Sequence, residues 1–486
     1  MPENPELQTF KQTLKMRRNY VGKSCKLHYE VSPLKIVRAS RQYMYDDSGN
    51  EYLDCINNVS HVGHCHPHVV TAGQEQMTKL NTCYGFLSDC QVAYAKRIVE
   101  LLPEQLCVCY FLNSGSEAND LAIRLARAYT KQNDVIVIDN AYHGNTENLI
   151  SISPKKLKEH NLPIENWVHV VPTPDVYRGK YREDNINPGQ LYANEVKLAI
   201  AKAMANGRKI AAFISEPNQT QAGMIFPPKN FLPLVYRYVR EAGGLCIADE
   251  IQTGLGRCGE HYWAFQSHDV VPDIVTLGKS LGNGHPISIL VTTKEISDSL
   301  NEFSSSYGGN PVACAMGMAV LDVIQNEHML SSAKSVGKCL MDELRRILPN
   351  HRLMGDVRGM GMMVGVEIVQ DKESRKPNKD AAEALVYKMK ERKFMMANEG
   401  PDKNVIIFQP PMCFTCENAL TVAKALDQAL AEVEEDDLRV NSGSNLNIQV
   451  PLSVLTNAKH KLDSDDDEDD FESPGKRQKI SYEEVD

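Results

Sequence analysis

The chain has 486 residues, of which 42% are hydrophobic and 24% charged, a composition typical of a globular protein long enough for two domains. Its formal net charge of -10 argues against broad binding of nucleic acid, which needs a net basic surface. No apolar run approaches the roughly 18 residues of a membrane helix, so we expect a soluble protein without membrane contact. The 13 cysteines lack the paired spacing of a disulfide framework or zinc ribbon, which favours a reducing intracellular compartment.

The first predicted elements form a hairpin. Residues 42–45 and 51–54 flank a turn at residues 47–50, in which Gly49 can supply a positive φ. We assign residues 1–60 to an N-terminal segment that contributes to a smaller domain.

Short apolar strands then alternate with helical patterns. The runs 135–138, 210–214, 245–248 and 274–277 are rich in Val, Ile and Ala and apolar on both faces. Such runs indicate strands buried between helices in a largely parallel sheet, so residues 61–310 are predicted to form a large α/β domain.

The remaining chain divides into a second domain and a tail. A helix from residue 311 to about 327 and a strand over 363–367 indicate a smaller α+β domain over residues 311–440. Residues 441–486 have few aromatic side chains and contain the acidic run 465–470, so we expect a disordered tail.

The segment 113–120 follows a predicted strand and precedes a helix expected to open at Leu121. Free backbone N–H groups there would bind an anion, and Gly115 would let a phosphate approach the backbone beside Ser116. The alternative is a helix capping box between Ser114 and Glu117.

Other polar residues directly follow predicted strands, where ligands bind in open α/β sheets. Tyr142, before His143, could stack on a planar cofactor or be a packed loop aromatic. Glu216 and Asp249 could keep a pyridine nitrogen protonated, whereas Asp249 alone would more often be a helix N-cap.

Lys279 closes a buried strand. Desolvation there should lower its pKa, which suits Schiff-base formation and proton transfer, although a lone lysine is more often a surface residue.

In their order and spacing these segments resemble the class III pyridoxal-phosphate aminotransferases of fold type I. The matching strings are SGSEAND, YHG, SEPNQTQAG, ADEIQTGLGR, LGKSLGNG and SYGGNP. The resemblance implies pyridoxal 5'-phosphate as cofactor and a large domain with a mostly parallel seven-stranded sheet beside a smaller α+β domain.

The resemblance also implies roles for single residues. Lys279 would carry the cofactor as a Schiff base, Asp249 would pair with its pyridine nitrogen, and Glu216 would lie close to the substrate. The residues implied to bind the cofactor are Gly115, Ser116, Tyr142, His143, Asp249, Gln252, Lys279 and, from a second subunit, Ser306. That last contact implies a homodimer with shared sites, with a tetramer as the alternative.

Longer strings at 33–39, 52–67, 172–184 and 410–414 are similar to phospho-lyases that act on phosphoethanolamine or 5-phosphohydroxylysine and are labelled alanine-glyoxylate aminotransferase 2-like. The chain departs from them at Gly85 and Ile407, where those lyases have Arg and Lys. We therefore keep three hypotheses: a phospho-lyase, a class III aminotransferase of alanine-glyoxylate or ω-amine type, and an idle interaction protein.

Two further expectations follow. The histidines of residues 61–68 are too close in sequence to hold one tetrahedral zinc without strain, so we expect no metal. The family resemblance favours a mitochondrial location, with the cytoplasm as the alternative.

Overall fold

A computed structural model describes residues 8–441 of the chain, with side chains as far as residue 438. The described residues belong to two compact units, 8–35 and 36–441. In the first unit, α1 (Phe10–Tyr20) begins after Thr9, whose side chain forms a capping box with Gln12. The predicted tail, 441–486, lies outside the described residues apart from Asn441. Among the described helices, none is both long and apolar enough to cross a bilayer.

The second unit carries all the strands of the described chain. In chain order its elements are β1 (Ile36–Ser40), β2 (Tyr43–Asp46), β3 (Glu51–Asp54), α2 (Pro67–Lys79), α3 (Asp89–Val99), β4 (Val108–Leu112), α4 (Gly115–Thr130), β5 (Asp134–Ile138), α5 (Glu147–Ser151), α6 (Pro154–His160), β6 (Val168–Val171), α7 (Pro188–Ala205), β7 (Ile210–Ser215), α8 (Phe231–Glu241), β8 (Leu245–Asp249), β9 (Ile274–Leu277), β10 (Ser288–Thr292), α9 (Lys294–Ser297), α10 (Pro311–Asn326), α11 (Met329–Ile347), β11 (Met354–Met360), β12 (Met363–Ile368), α12 (Lys379–Glu391), β13 (Phe394–Met395), β14 (Ala397–Glu399), β15 (Val405–Phe408) and α13 (Cys416–Asn441). Short 3-10 segments cover Ala264–His268, Lys279–Gly282 and Leu348–Asn350.

The main sheet has seven strands in the order β4-β10-β9-β8-β7-β5-β6. The strands β9, β8, β7, β5 and β6 are parallel, and β10 runs antiparallel to both of its neighbours. Every residue of β5, β7, β8 and β9 is buried. The largely parallel sheet predicted from the apolar runs is therefore confirmed, and so are the seven strands that the family resemblance implies.

Two four-stranded sheets accompany it, in the orders β1-β2-β3-β13 and β11-β12-β15-β14. The predicted hairpin is present as β2 and β3, and Gly49 has a φ of 81° in its turn. Because β13 pairs with β3, residues 394–395 share one sheet with residues 53–54. The division at residues 60, 310 and 440 stays a prediction.

One boundary differs from the sequence expectation and affects the candidate site. The helix α4 begins at Gly115, six residues before the predicted start at Leu121, because the Ser114 side chain accepts a hydrogen bond from the Glu117 N–H and caps it. The polar residues of the segment therefore lie on the first turns of the helix, and not in a loop before it.

The second unit contains a buried cluster of ion pairs centred on Glu367, whose side chain is 1% exposed. One carboxylate oxygen accepts from Arg178 Nε at 2.6 Å and Asn404 Nδ2 at 2.9 Å. The other accepts from Arg358 Nη2 at 2.6 Å. Since Arg358 also donates to the Gly223 carbonyl, the cluster fastens the segment after β7 to the β11–β12 sheet.

Replacing Glu367 with Gln should lower the free energy of unfolding by about 3 kcal/mol, because Arg178 and Arg358 would lose the buried carboxylate that they share and keep only their more exposed partners, Asp402 and Asp356. Urea unfolding followed by circular dichroism measures the change. The control is Glu183→Gln, which breaks a half-exposed ion pair with Arg375 and should cost about 1 kcal/mol or less. An equal loss of unfolding free energy in the two variants would contradict a stabilising role for the buried Glu367 cluster.

Candidate active site

The carboxyl ends of β5, β7, β8 and β9 bring the predicted residues to one edge of the sheet. His143 lies in the loop after β5, Glu216 follows β7, Asp249 ends β8, and Lys279 follows β9. Strand ends of this kind form the ligand-binding crevice in parallel α/β sheets.

Asp249 is buried at the centre of a hydrogen-bond network. Its Oδ2 accepts from Asn119 Nδ2 and from His143 Nδ1, both at 2.8 Å. Asn119 Nδ2 also donates to the His143 carbonyl, and its Oδ1 accepts from Thr276 Oγ1 at 2.6 Å. No helix starts after Asp249, so its alternative role as a helix N-cap is wrong, although its Oδ1 accepts from the Ile251 N–H at 3.2 Å in the turn that follows.

The loop that carries His143 is held tightly against the start of α4. The His143 N–H donates to Ser153 Oγ, and the Asn145 N–H donates to Ser116 Oγ at 3.2 Å. Gly144 has a φ of 143°, and a Cβ there would lie 2.4 Å from Leu149 Cδ1. Only glycine fits this position, so the Tyr142-His143-Gly144 string has a packing reason as well as a chemical one.

Lys279 occupies a strained and desolvated position. Its φ is 34°, in the left-handed region that non-glycine residues rarely adopt. Desolvation lowers the pKa of the amine to about 8, and the carboxylates of Glu216 and Asp249 act against that shift. The sequence prediction of a lysine with a lowered pKa agrees with this environment.

We expect the apoenzyme to capture pyridoxal phosphate faster as pH rises through about 8, because the free amine is the nucleophile and exists above that pKa. Stopped-flow absorbance of the bound cofactor measures the rate. In Glu216→Gln the midpoint should move lower, since this carboxylate raises the pKa of Lys279. A midpoint near the ordinary lysine value of 10.5 would contradict the assignment.

Glu216 is buried with half of its carboxylate unused. Its Oε2 accepts from the Thr220 N–H at 3.1 Å and from Thr220 Oγ1 at 2.8 Å. Its Oε1 has no partner among the described residues. Desolvation, together with the nearby Asp249 carboxylate, raises the pKa of Glu216, so this side chain is partly protonated closer to neutral pH than an exposed Glu.

Gln252 links three loops at the same edge. Its Nε2 donates to Thr220 Oγ1 at 2.7 Å, and its Oε1 accepts from Asn58 Nδ2 at 2.8 Å. Asn58 also donates to Gln409. No role is predicted from the sequence for Asn58, Thr220, Gln409 or Asn119, although Asn119 and Thr220 lie within the strings that match the family.

Gly115 and Ser116 lie at the first turn of α4. A Cβ on Gly115 would be 3.0 Å from Ile251 Cγ2, and the same Ile251 side chain packs against Gly278. A larger residue at position 115 would therefore require the Ile251 side chain to shift by a few tenths of an ångström. Whether an anion also binds there stays a prediction.

Ser306 lies on a different surface. It is exposed and lines an open cavity of about 560 Å³. Gly85 and Phe86 line the same cavity. The structure therefore does not place Ser306 within the hydrogen-bond network of Asp249 in one copy of the chain.

Gly85 and Ile407, two of the positions that depart from the phospho-lyases, carry no charge. Ile407, on β15, is buried in an apolar cluster with Met224, Cys258 and Met363. Gly85 has a φ of 76° in an exposed loop, and a Cβ there would meet nothing within 4 Å. Any cation that contacts an anionic substrate must come from elsewhere.

The histidines of residues 61–68 separate onto different partners. His61 contacts the Leu255 carbonyl, His64 the Asp54 carboxylate, and His66 the Glu327 carboxylate. Within residues 8–441 no group of three His, Cys, Asp or Glu side chains is placed to hold a metal ion. These histidines connect loops in the described structure.

The donor and acceptor set fits pyridoxal phosphate. His143 Nε2 and Glu216 Oε1 are buried and have no partner in the described chain, so polar groups remain for a ligand. A pyridine aldehyde needs an amine that bonds to its carbonyl carbon and an anion that pairs with its ring nitrogen. The desolvated amine of Lys279 and the buried carboxylate of Asp249 are groups of these two kinds.

Comparisons with known proteins agree with this chemistry. The family model for aminotransferase class-III matches residues 26–430. A Drosophila melanogaster protein named alanine-glyoxylate aminotransferase 2-like is 44% identical over 460 residues, 93% of each chain. Ethanolamine-phosphate phospho-lyase homolog 1 of Caenorhabditis elegans is 40% identical over 87% of this chain and 94% of its own.

Two further matches extend the comparison. The human mitochondrial alanine-glyoxylate aminotransferase 2 is 35% identical over 78% of this chain and 77% of its own. A solved structure of an Arthrobacter phospholyase in complex with phosphoethanolamine has a TM-score of 0.83 and 35% identity, covering 86% of this chain and 99% of its own. These relatives indicate an enzyme and not an idle interaction protein, and the chain belongs to the class III aminotransferase family of pyridoxal-phosphate-dependent enzymes.

Proposed function

We propose that the protein is a phospho-lyase that acts on a phosphorylated primary amine, phosphoethanolamine or 5-phosphohydroxylysine. A proton leaves the carbon that bears nitrogen, the C–O bond to phosphate on the next carbon breaks, and water then releases an aldehyde and ammonia. The phospho-lyase names of the worm relative and of the Arthrobacter structure support this reaction class.

Lys279, Asp249 and Glu216 lie together at one edge of the sheet, and this observation is the main support for the proposed reaction. In our proposal Lys279 binds the cofactor and takes the proton from the substrate carbon, for which a pKa of about 8 is suited. Asp249 holds a proton on the pyridine nitrogen, and Glu216 contacts the substrate or the ring. When bound, pyridoxal phosphate supplies an electron sink.

The remaining predicted residues are proposed to bind the cofactor. Tyr142 would stack on its ring, beside His143, and Gln252 would contact the ring oxygen. Gly115 and Ser116 would hold the phosphate, together with Ser306 from a second copy of the chain. The buried networks around His143 and Gln252 support these roles because they fix both side chains before a ligand arrives.

A homodimer with shared sites is part of the proposal. The surface next to Ser306 exposes large apolar side chains, among them Phe86 at 80% and Leu87 at 99% exposure. Apolar patches of this kind mark protein interfaces. Sedimentation of Phe86→Asp should show a monomer with weakened cofactor binding, whereas an unchanged dimer would contradict this interface.

A class III aminotransferase is the second candidate. The name of the human relative, alanine-glyoxylate aminotransferase 2, supports it. Both reactions begin with proton removal by Lys279, so the network around Asp249 serves either one.

The deciding experiment incubates the holoenzyme with phosphoethanolamine or 5-phosphohydroxylysine and no 2-oxo acid. The phospho-lyase releases phosphate and ammonia in equal amounts over many turnovers. Consumption of the amine that depends strictly on pyruvate or glyoxylate and converts that acid to its amino acid, with no phosphate or ammonia released, would overturn the proposal in favour of the aminotransferase.

A mitochondrial location is also proposed, supported by the name of the human relative. Fractionation of cells that express the full chain tests it, and recovery in the cytosol would contradict it.

A further inference from the structure

The segment after the His143 loop brings three lysines together at the candidate site. Lys155 and Lys156 lie in the first turn of α6, and Lys403 lies between β14 and β15. Lys155 Nζ is 2.7 Å from Glu399 Oε2, and Lys403 Nζ is 3.2 Å from the same oxygen. We call Lys155, Lys156 and Lys403 the lysine cluster.

The lysine cluster is close to the residues proposed to do the chemistry. The Lys155 N–H donates to the Ala141 carbonyl at 3.3 Å, directly before Tyr142, and the Gly400 N–H, directly after Glu399, donates to the Gln221 carbonyl at 3.2 Å. Lys156 Nζ is 5.8 Å from the centre of the Tyr142 ring. The cluster therefore borders the loop that carries Tyr142 and the segment that follows Glu216.

The charges of this region do not balance. Glu399 is shared by two lysines, while Lys156 pairs with Glu159 at 2.6 Å. Three cations thus face two carboxylates. The side chain of Lys155 is only 11% exposed, so its charge is poorly solvated and would gain from a second anion.

We propose that Lys155, with Lys403, binds the anionic group of the substrate, and that Glu399 occupies these lysines until the substrate anion replaces it. This inference rests on the proposed function, because it assigns the phosphate-binding residues of that same site. Lys155 and Lys403 would supply the positive charge that is missing at Gly85 and Ile407. The alternative is a purely structural role, in which the ion pair between Lys155 and Glu399 only connects α6 to β14.

The test measures binding by the visible absorbance of the holoenzyme. The probes are 2-aminoethylphosphonate, which carries an amine and a phosphonate but no phosphate that can leave, and propylamine, which carries the amine alone. Lys155→Met should weaken the phosphonate by about 10- to 100-fold, the range for a hydrogen bond to a charged group, and leave propylamine unchanged. Glu399→Gln should bind the phosphonate more tightly, because it releases both lysines.

The matched control is Lys158→Met on the same helix, which breaks an ion pair with Asp139 and should change neither affinity. Equal weakening of both probes in Lys155→Met, or weaker phosphonate binding in Glu399→Gln, would overturn the inference in favour of a structural ion pair. Binding of the two probes is measured without any phosphate release. The anion site can therefore be tested even if the protein is not a phospho-lyase. An active lyase with an unaltered Lys155→Met variant would refute the anion site alone.

Discussion

Replacing Lys279 with Ala should reduce turnover by more than about 10³-fold with every substrate. One substitution removes both the nucleophile that holds the cofactor and the base that takes the proton, and a positioned base alone contributes about 10²- to 10⁴-fold. Steady-state turnover and the absorbance spectrum of the purified variant measure the loss.

Added methylamine separates loss of chemistry from loss of fold in this variant. A free amine that enters the space left by the side chain should restore part of the activity if the surrounding network is intact. Residual activity above a tenth of the parent without added amine would exclude Lys279 from the proposed role.

Replacing Asp249 with Asn should lower turnover by about 10²- to 10³-fold while the fold is kept. The amide preserves the shape that Asn119 and His143 contact but removes the charge proposed to hold the ring proton. Loss of a buried charged partner costs about 3–5 kcal/mol, and each 1.4 kcal/mol on the barrier is tenfold in rate. The measurement is kcat with saturating substrate and cofactor.

Glu250→Gln is the control for that prediction. Glu250 is also buried and adjacent in sequence, but its carboxylate bonds to Thr253 and to the Phe265 N–H. Burial raises its pKa to about 7, so an amide imitates the neutral form and kcat should change little. Comparable losses in the two variants would mean that burial, and not the contact with the ring nitrogen, explains the effect of Asp249.

The sheet could be predicted because its central strands are apolar along most of their length. Residues such as Val137 and Ile247 are buried on both faces, and runs of Val, Ile and Ala report that burial directly. The same logic placed Glu216, Asp249 and Lys279 at strand ends, where a parallel sheet brings its carboxyl ends together.

The supporting network could not be predicted in the same way. Asn58, Thr220 and Gln409 come from three loops far apart in sequence, and only the fold brings their side chains to Gln252. The start of α4 was placed too late because the polar residues after Ser114 do not show the apolar spacing of a helix. Lys155 gave no sequence signal, since a lysine in a short helix is usually a solvated surface residue.

The central claim is that Lys279 carries the cofactor, and peptide mapping after reduction tests it most directly. Borohydride treatment of the holoenzyme fixes pyridoxal phosphate to the lysine that holds it, and mass spectrometry of the digest locates the added mass. We predict the modification on Lys279. A stoichiometric modification on Lys155 or any other lysine, with Lys279 unmodified, would contradict the account.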